Sequence, residues 1–135
     1  MIFTETRLKG AFVIEPERLE DDRGFFARSW CEREFEARGL NARLAQCSIS
    51  SSKQKRTLRG MHYQVVPYAE AKLVRCTNGS IYDAIIDLRP QSPTFRQYIG
   101  LVLTALNHKM LYVPEGFAHG FLTLEDNTEV FYQMS

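Results

Sequence analysis

The sequence predicts an all-β fold, a sandwich or barrel of short strands. Three observations predict it. From Thr57 onward, runs of β-branched, aromatic and aliphatic residues recur at nearly regular spacing, with turn signals between them. Only one segment, Cys31 to Gly39, has the composition of a helix. No internal repeat, low-complexity tract or linker divides the 135 residues, so the chain reads as one domain, 1–135.

Taken in order, residues 3–14 alternate weakly around Gly10 and read as a short strand pair or a strand with a glycine break. Pro16 to Asp22 is polar and turn-like. Arg23 to Trp30 is rich in aromatic residues and predicts a strand. Glu32 to Arg38 are mostly good helix formers, and Gly39 supplies a stop. Ala42 to Ser50 returns to strand, and Ser50 to Arg56 is a polar loop. Seven strands then follow: Thr57–Gln64, Ala71–Cys76, Ser80–Leu88, Phe95–Leu103, Lys109–Val113, Gly120–Leu124 and Thr128–Gln133. The turns between them fall at Thr77-Asn78-Gly79, Arg89-Pro90-Gln91-Ser92-Pro93, Pro114-Glu115-Gly116 and Asp126-Asn127.

The bulk properties narrow the functional classes. A net charge of +1 gives no broad electrostatic case for nucleic acid or membrane binding. The basic run Lys53-Gln54-Lys55-Arg56 has no interleaved aromatic residues and reads as a solvated loop. Cys31, Cys47 and Cys76 are odd in number and unrelated in spacing, which fits reduced thiols in a cytoplasm. The N-terminus lacks the pattern of a signal peptide, and no apolar run is long enough to span a bilayer.

Alternation along a strand groups residues by face. Lys72, Val74 and Cys76 share one; so do His119, Phe121 and Thr123, and so do Thr128, Val130 and Tyr132. Each set holds a polar group near a strand end among apolar neighbours, which suits a barrel with a chemical mouth and a packed depth. Strict alternation puts Arg59 and His62 on opposite faces, so a shared pocket requires a strand end or bend at Arg59. His108 sits in a turn, where solvent exposure is the expectation, and Asp83 and Asp87 read as structural, satisfying turns or pairing with arginine.

Pro114-Glu115-Gly116-Phe117-Ala118-His119 has the Pro-x-Gly-x-x-His form of the second motif of cupins, the double-stranded β-helix jelly rolls. Where metal-binding cupins supply an earlier His-x-His, this chain has His62 followed by Gln64, a poor set for a transition metal. Arg59-Gly60-Met61-His62-Tyr63-Gln64, Lys72-Leu73-Val74-Arg75, Asp87-Leu88-Arg89 with Ser92-Pro93-Thr94, and Pro114 to Phe121 together resemble the dTDP-4-dehydrorhamnose 3,5-epimerase family. The resemblance implies an all-β cupin jelly roll with one short helix. It implies a metal-independent, cofactor-free isomerase that epimerises a nucleoside-diphosphate 4-keto-6-deoxyhexose at C3, C5 or both by proton abstraction and reprotonation, in deoxysugar biosynthesis of the dTDP-rhamnose kind.

The resemblance implies roles for individual residues as well. His62 is the base that takes the proton beside the C4 ketone, Tyr132 the acid on the other face, and Lys72 the cation at the enolate oxygen. An imidazole of ordinary pKa, ~6.5, suits the first role. His119 holds the sugar, Arg23 and Arg59 the diphosphate, Gln46 the substrate, and Phe26 flanks the base or sugar. Homodimerisation is implied as well, with Arg23 and Phe26 reaching a neighbour's site. Chains of the family normally continue past the position of Ser135, through a segment that covers the site and supplies an aspartate to orient the histidine, so the sequence reads as a C-terminally short member. Arg28 stands where the family commonly has Glu, and Ser48 where it has Asn. Two other readings are a truncated or degenerate cupin that binds a nucleotide sugar without turnover, and a metal-dependent cupin.

Overall fold

The structure, a computed structural model, describes residues 1–135. It contains twelve strands and one helix. In chain order they are β1 (Ile2–Glu5), β2 (Phe12–Glu15), β3 (Arg18–Asp21), β4 (Gly24–Ala27), α1 (Glu32–Glu36), β5 (Gln46–Ser52), β6 (Leu58–His62), β7 (Lys72–Asn78), β8 (Ser80–Asp87), β9 (Tyr98–Thr104), β10 (Met110–Val113), β11 (Phe117–Thr123) and β12 (Thr128–Met134). The seven strands expected after Thr57 are all present, and residues 2–15 form a strand pair.

Two antiparallel sheets face each other. The larger has the order β1-β2-β10-β7-β12-β5 and the smaller β6-β11-β8-β9. Opposed residues of a ladder share a face, so register shows what points inward. Val74 opposes both Leu111 and Tyr132 in the larger sheet; Phe121 opposes Asp83 in the smaller. Val74, Leu111 and Val130 meet Ile81, Ile85, Leu103 and Phe121 between the sheets, all nearly or fully buried. Fully burying a side chain of this size contributes about 1.5–3 kcal/mol, so this layer is the main source of stability. A second core lies on the outer face of the larger sheet, where Phe35 of α1 enters beside Met1, Ile14, Leu73 and Tyr112. No helix is long and apolar enough to cross a membrane.

Several boundaries differ from the sequence reading. Arg18–Asp21, expected as a turn, is a strand paired only with β4, and the two form a separate hairpin. Its side chains are all exposed, so no hydrophobic alternation announced it. β5 runs to Ser52, into the expected loop, because Ser50 and Ser52 pair with Val130 and Thr128. His108 is half-buried rather than exposed, its ring edge-on to Phe25 at 5.1 Å.

Candidate active site

The site is built on one irregularity in β6. Arg59 opposes Phe121 and His62 opposes His119, so two residues of β6, Gly60 and Met61, face the single residue Gly120 of β11. This is a β-bulge, and the extra residue cancels the alternation that would separate Arg59 from His62. Both therefore share the inner face with His119 and Phe121. Gly60 makes the bulge possible. Its φ is +108°, and a Cβ there would lie 2.7 Å from both Gly120 Cα and His119 O.

The larger sheet supplies the opposite wall. Tyr132 opposes Val74 on one side and Ser48 on the other, Met134 opposes Lys72 and Gln46, and all belong to the inward face. Gln46 Nε2 reaches Met134 Sδ at 3.8 Å. Lys72 is mostly buried, and its ammonium is held 3.1 Å from the Glu70 carboxylate. Arg59 spans the gap between the sheets, donating from Nε to Ser52 Oγ at 3.2 Å and from Nη2 to Ser51 O at 3.2 Å. His62 stands exposed at the mouth.

Behind His62, His119 is buried and its Nε2 lies 2.7 Å from Asp83 Oδ1. Asp83 was expected to serve a turn or an arginine; it serves this histidine instead. Asp83 Oδ2 is buried without a partner, an unmet acceptor within the site's inner wall. The His119 ring lies edge-on to Tyr132, with centroids 6.1 Å apart. Burial, and then the negative charge of Asp83, push the Tyr132 phenol well above its ordinary pKa, with Arg59 opposing. Tyr132 is thus a protonated phenol at neutral pH.

By register, His62, Arg59, Lys72, Gln46, His119 and Tyr132 lie on the facing sides of the two sheets, with His62 opposed to His119 and the His119 ring edge-on to Tyr132. Arg23 and Phe26 do not join them. They lie on the β3–β4 hairpin, with Phe26 74% exposed and Arg23 paired to Asp21 at 2.5 Å. Sequence reasoning weighed Asp83 as a structural residue, or as a carboxylate for His62 should the fold bring them together; its bond goes to His119 instead. Sequence reasoning missed Ser52 and Glu70, which hold the two cations.

Asp87 met its expectation. It is fully buried and accepts from Arg89 Nε at 2.9 Å, Arg89 Nη2 at 2.7 Å, Ser92 Oγ at 2.5 Å and Thr94 Oγ1 at 2.7 Å.

A family model described as dTDP-4-dehydrorhamnose 3,5-epimerase matches residues 5–135. The chain belongs to this family. The epimerase of Shigella flexneri is 43% identical over 130 residues, covering 96% of this chain and 71% of the relative. Among solved structures, the Bacillus anthracis epimerase with TDP and PPi bound is 44% identical, with a TM-score of 0.93 over 98% of this chain and 76% of that one. The Legionella pneumophila epimerase in complex with dTDP-4-keto-L-rhamnose is 36% identical, with a TM-score of 0.90 over 98% of this chain and 70% of that one. The two packed sheets are the cupin-like fold of these epimerases, and the chain is an isomerase by family. The reading as a degenerate, non-catalytic cupin is not favoured.

Proposed function

We propose that the protein epimerises a nucleoside-diphosphate 4-keto-6-deoxyhexose at C3 and C5, in the dTDP-rhamnose type of deoxysugar synthesis. The observation that supports this is that His62 and Tyr132 stand on facing sheets with His119 beside both. His62 is opposed by His119, and His119 touches the Tyr132 ring edge. Inversion needs a base on one face of the sugar and an acid on the other. Relatives at 41–44% identity carry the double-epimerase name, which supports action at both carbons.

The steps follow from the residue chemistry. The C4 ketone acidifies the neighbouring C–H. A nitrogen of His62 takes that proton, the C–H electron pair moves into the ring, and the carbonyl oxygen becomes an enolate. The Lys72 ammonium stabilises the new negative charge. The enolate carbon then takes the Tyr132 hydroxyl proton on the opposite face, which inverts the centre. The high proton affinity of Tyr132 keeps that proton available until a strong carbon base forms. His119, fixed by Asp83, holds the sugar; Arg59 takes the diphosphate and Gln46 contacts the substrate.

The test is proton NMR of dTDP-4-keto-6-deoxyglucose with the protein in D₂O. The C3 and C5 proton signals are expected to disappear, and His62→Asn to prevent the loss. Retention of both signals with the unsubstituted protein would overturn the reading; loss at C3 alone would restrict it to that carbon.

We further propose a cytoplasmic homodimer. Arg23 and Phe26 are exposed, and the hairpin bearing them pairs with neither sheet, which supports delivery to a second copy. Sedimentation equilibrium should give twice the chain mass at micromolar concentration. A monomer would remove Arg23 and Phe26 from the site.

A further inference from the structure

Beneath the β3–β4 hairpin, on the face of the larger sheet opposite the cleft, lies a cavity of about 200 Å³. Arg75 of β7 and His108, from the turn after β9, line it; Phe25, Met110 and Pro16 form its apolar side. Arg75 alternates with Lys72, Val74 and Cys76 along β7 and therefore faces away from the epimerase cleft. Its guanidinium rests over the Phe131 ring at 5.2 Å, and its Nε is buried without a hydrogen-bond partner. Arg18 of β3 does not line the cavity, but its guanidinium lies 4.8 Å from the centre of the Phe25 ring, which does.

No carboxylate lines this cavity. Among acids on the flanking strands, Glu15 is paired with Lys109 Nζ at 2.7 Å, Glu129 accepts from Thr77 Oγ1 at 2.7 Å, and Glu20, on the Arg18 face of β3, does not reach the walls. The local excess of positive charge acts on His108, whose pKa is lowered first by burial and then by Arg18 and Arg75. A buried, unsatisfied N–H and an imidazole disfavoured as a cation are both relieved by one negatively charged acceptor.

We propose that this cavity is an oxyanion site. It takes phosphate, or the phosphate of an ester, between Arg75 and His108, with Arg18 adding positive charge from the hairpin, and so fastens the hairpin to the sheet. The apolar wall of Phe25, Met110 and Pro16 would receive the organic part of an ester. Phe25 and Ala27 line the cavity while Phe26 between them points outward. An anion here would thus hold the hairpin that carries Phe26 and Arg23 without entering the cleft.

The test is titration of the full chain with sodium phosphate at constant ionic strength, followed by the ¹H–¹³C signals of the His108 ring. A saturable shift with millimolar half-saturation is expected, together with a rise in the His108 pKa. Arg75→Gln should weaken binding by about tenfold or more. If that variant folds poorly, Arg18→Gln on the exposed hairpin should weaken it by about threefold. Phenyl phosphate binding more tightly than phosphate would identify the ligand as an ester; equal affinity would identify the free anion. Absence of a saturable His108 shift overturns the proposal, as does a His108 curve unchanged in both variants. A saturable response of His62 alone would put the anion in the cleft and overturn it equally.

Discussion

Asp87→Asn isolates the charge of the most heavily bonded carboxylate in the chain. The amide has the same shape, so no cavity forms. On one side, Oδ1 accepts from the Arg89 backbone N–H at 3.0 Å and Nε at 2.9 Å; on the other, Oδ2 accepts from Arg89 Nη2, Ser92 and Thr94. An amide can present oxygen to only one side. The better orientation turns its NH₂ toward Ser92 and Thr94, whose hydroxyls can rotate to accept, and opposes it to Arg89 Nη2. The remaining bonds lose their ionic character. Hydrogen bonds to charged groups contribute about 1.5–3 kcal/mol each, so losing one and weakening others should cost about 3 kcal/mol. At roughly 4 °C per kcal/mol for a domain of this size, the melting temperature should fall by about 12 °C. The pH dependence follows from the shifted carboxyl. Burial alone would raise its pKa, but bonds from Arg89, Ser92 and Thr94 outweigh burial and hold it far below the usual carboxylate range. A depressed carboxyl contributes stability that is complete above its unfolded pKa and is lost as pH falls toward its folded one. The gap between wild type and variant should therefore be flat from neutrality to about pH 5 and narrow only below about pH 4. Thermal unfolding by circular dichroism across that range measures it. A gap below about 1 kcal/mol at neutral pH, or one that widens in acid, would refute the reasoning.

Two further substitutions test the cleft. Gly60→Ala places a methyl against backbone atoms of His119 and Gly120 that cannot yield, at a φ that favours glycine. It should cost about 2 kcal/mol or more by denaturant unfolding, and should abolish proton exchange by turning His62 from the inner face. Burial raises the Tyr132 phenol pKa most, and Asp83→Asn removes the negative charge that adds to it. Ultraviolet titration should show that tyrosine ionising at lower pH than in the wild type, and an unchanged alkaline titration would mean that Asp83 does not act on Tyr132.

Legibility in the sequence tracked how local each cause was. The strands after Thr57 were readable because short runs of apolar, aromatic and β-branched residues recur there with turn signals between them. The helix was readable from composition, and Phe35 buries within it as the only large apolar residue there. β3 was not readable, because a strand of Arg, Leu, Glu and Asp with both faces exposed leaves no periodic trace. The Asp83–His119 pair was not readable either. Phe121 opposes Asp83, and His119 opposes Ile85, so the contact is diagonal across two strands and depends on a register no single strand encodes. His108 was misread for a similar reason: what covers it, Phe25, is remote in sequence.

The cleft itself rests on a conflict that the sequence states and only the fold resolves. His62 follows Arg59 at an offset of three, an odd number, and a regular strand would send one of them into solvent. Removing a residue would join their faces but shift every side chain on one flank of the pairing. A bulge corrects the facing of two residues and leaves the ladder intact beyond it: Leu58 still opposes Leu122, and His62 still opposes His119. It requires the two backbones to approach where the extra residue sits. The residues there are Gly60 and Gly120, and a Cβ on Gly120 would lie 2.8 Å from Arg59 O. Facing glycines in adjacent strands contribute nothing to packing. Their physical use here is to let a cation that bridges the sheets and an imidazole at the mouth act on the same space.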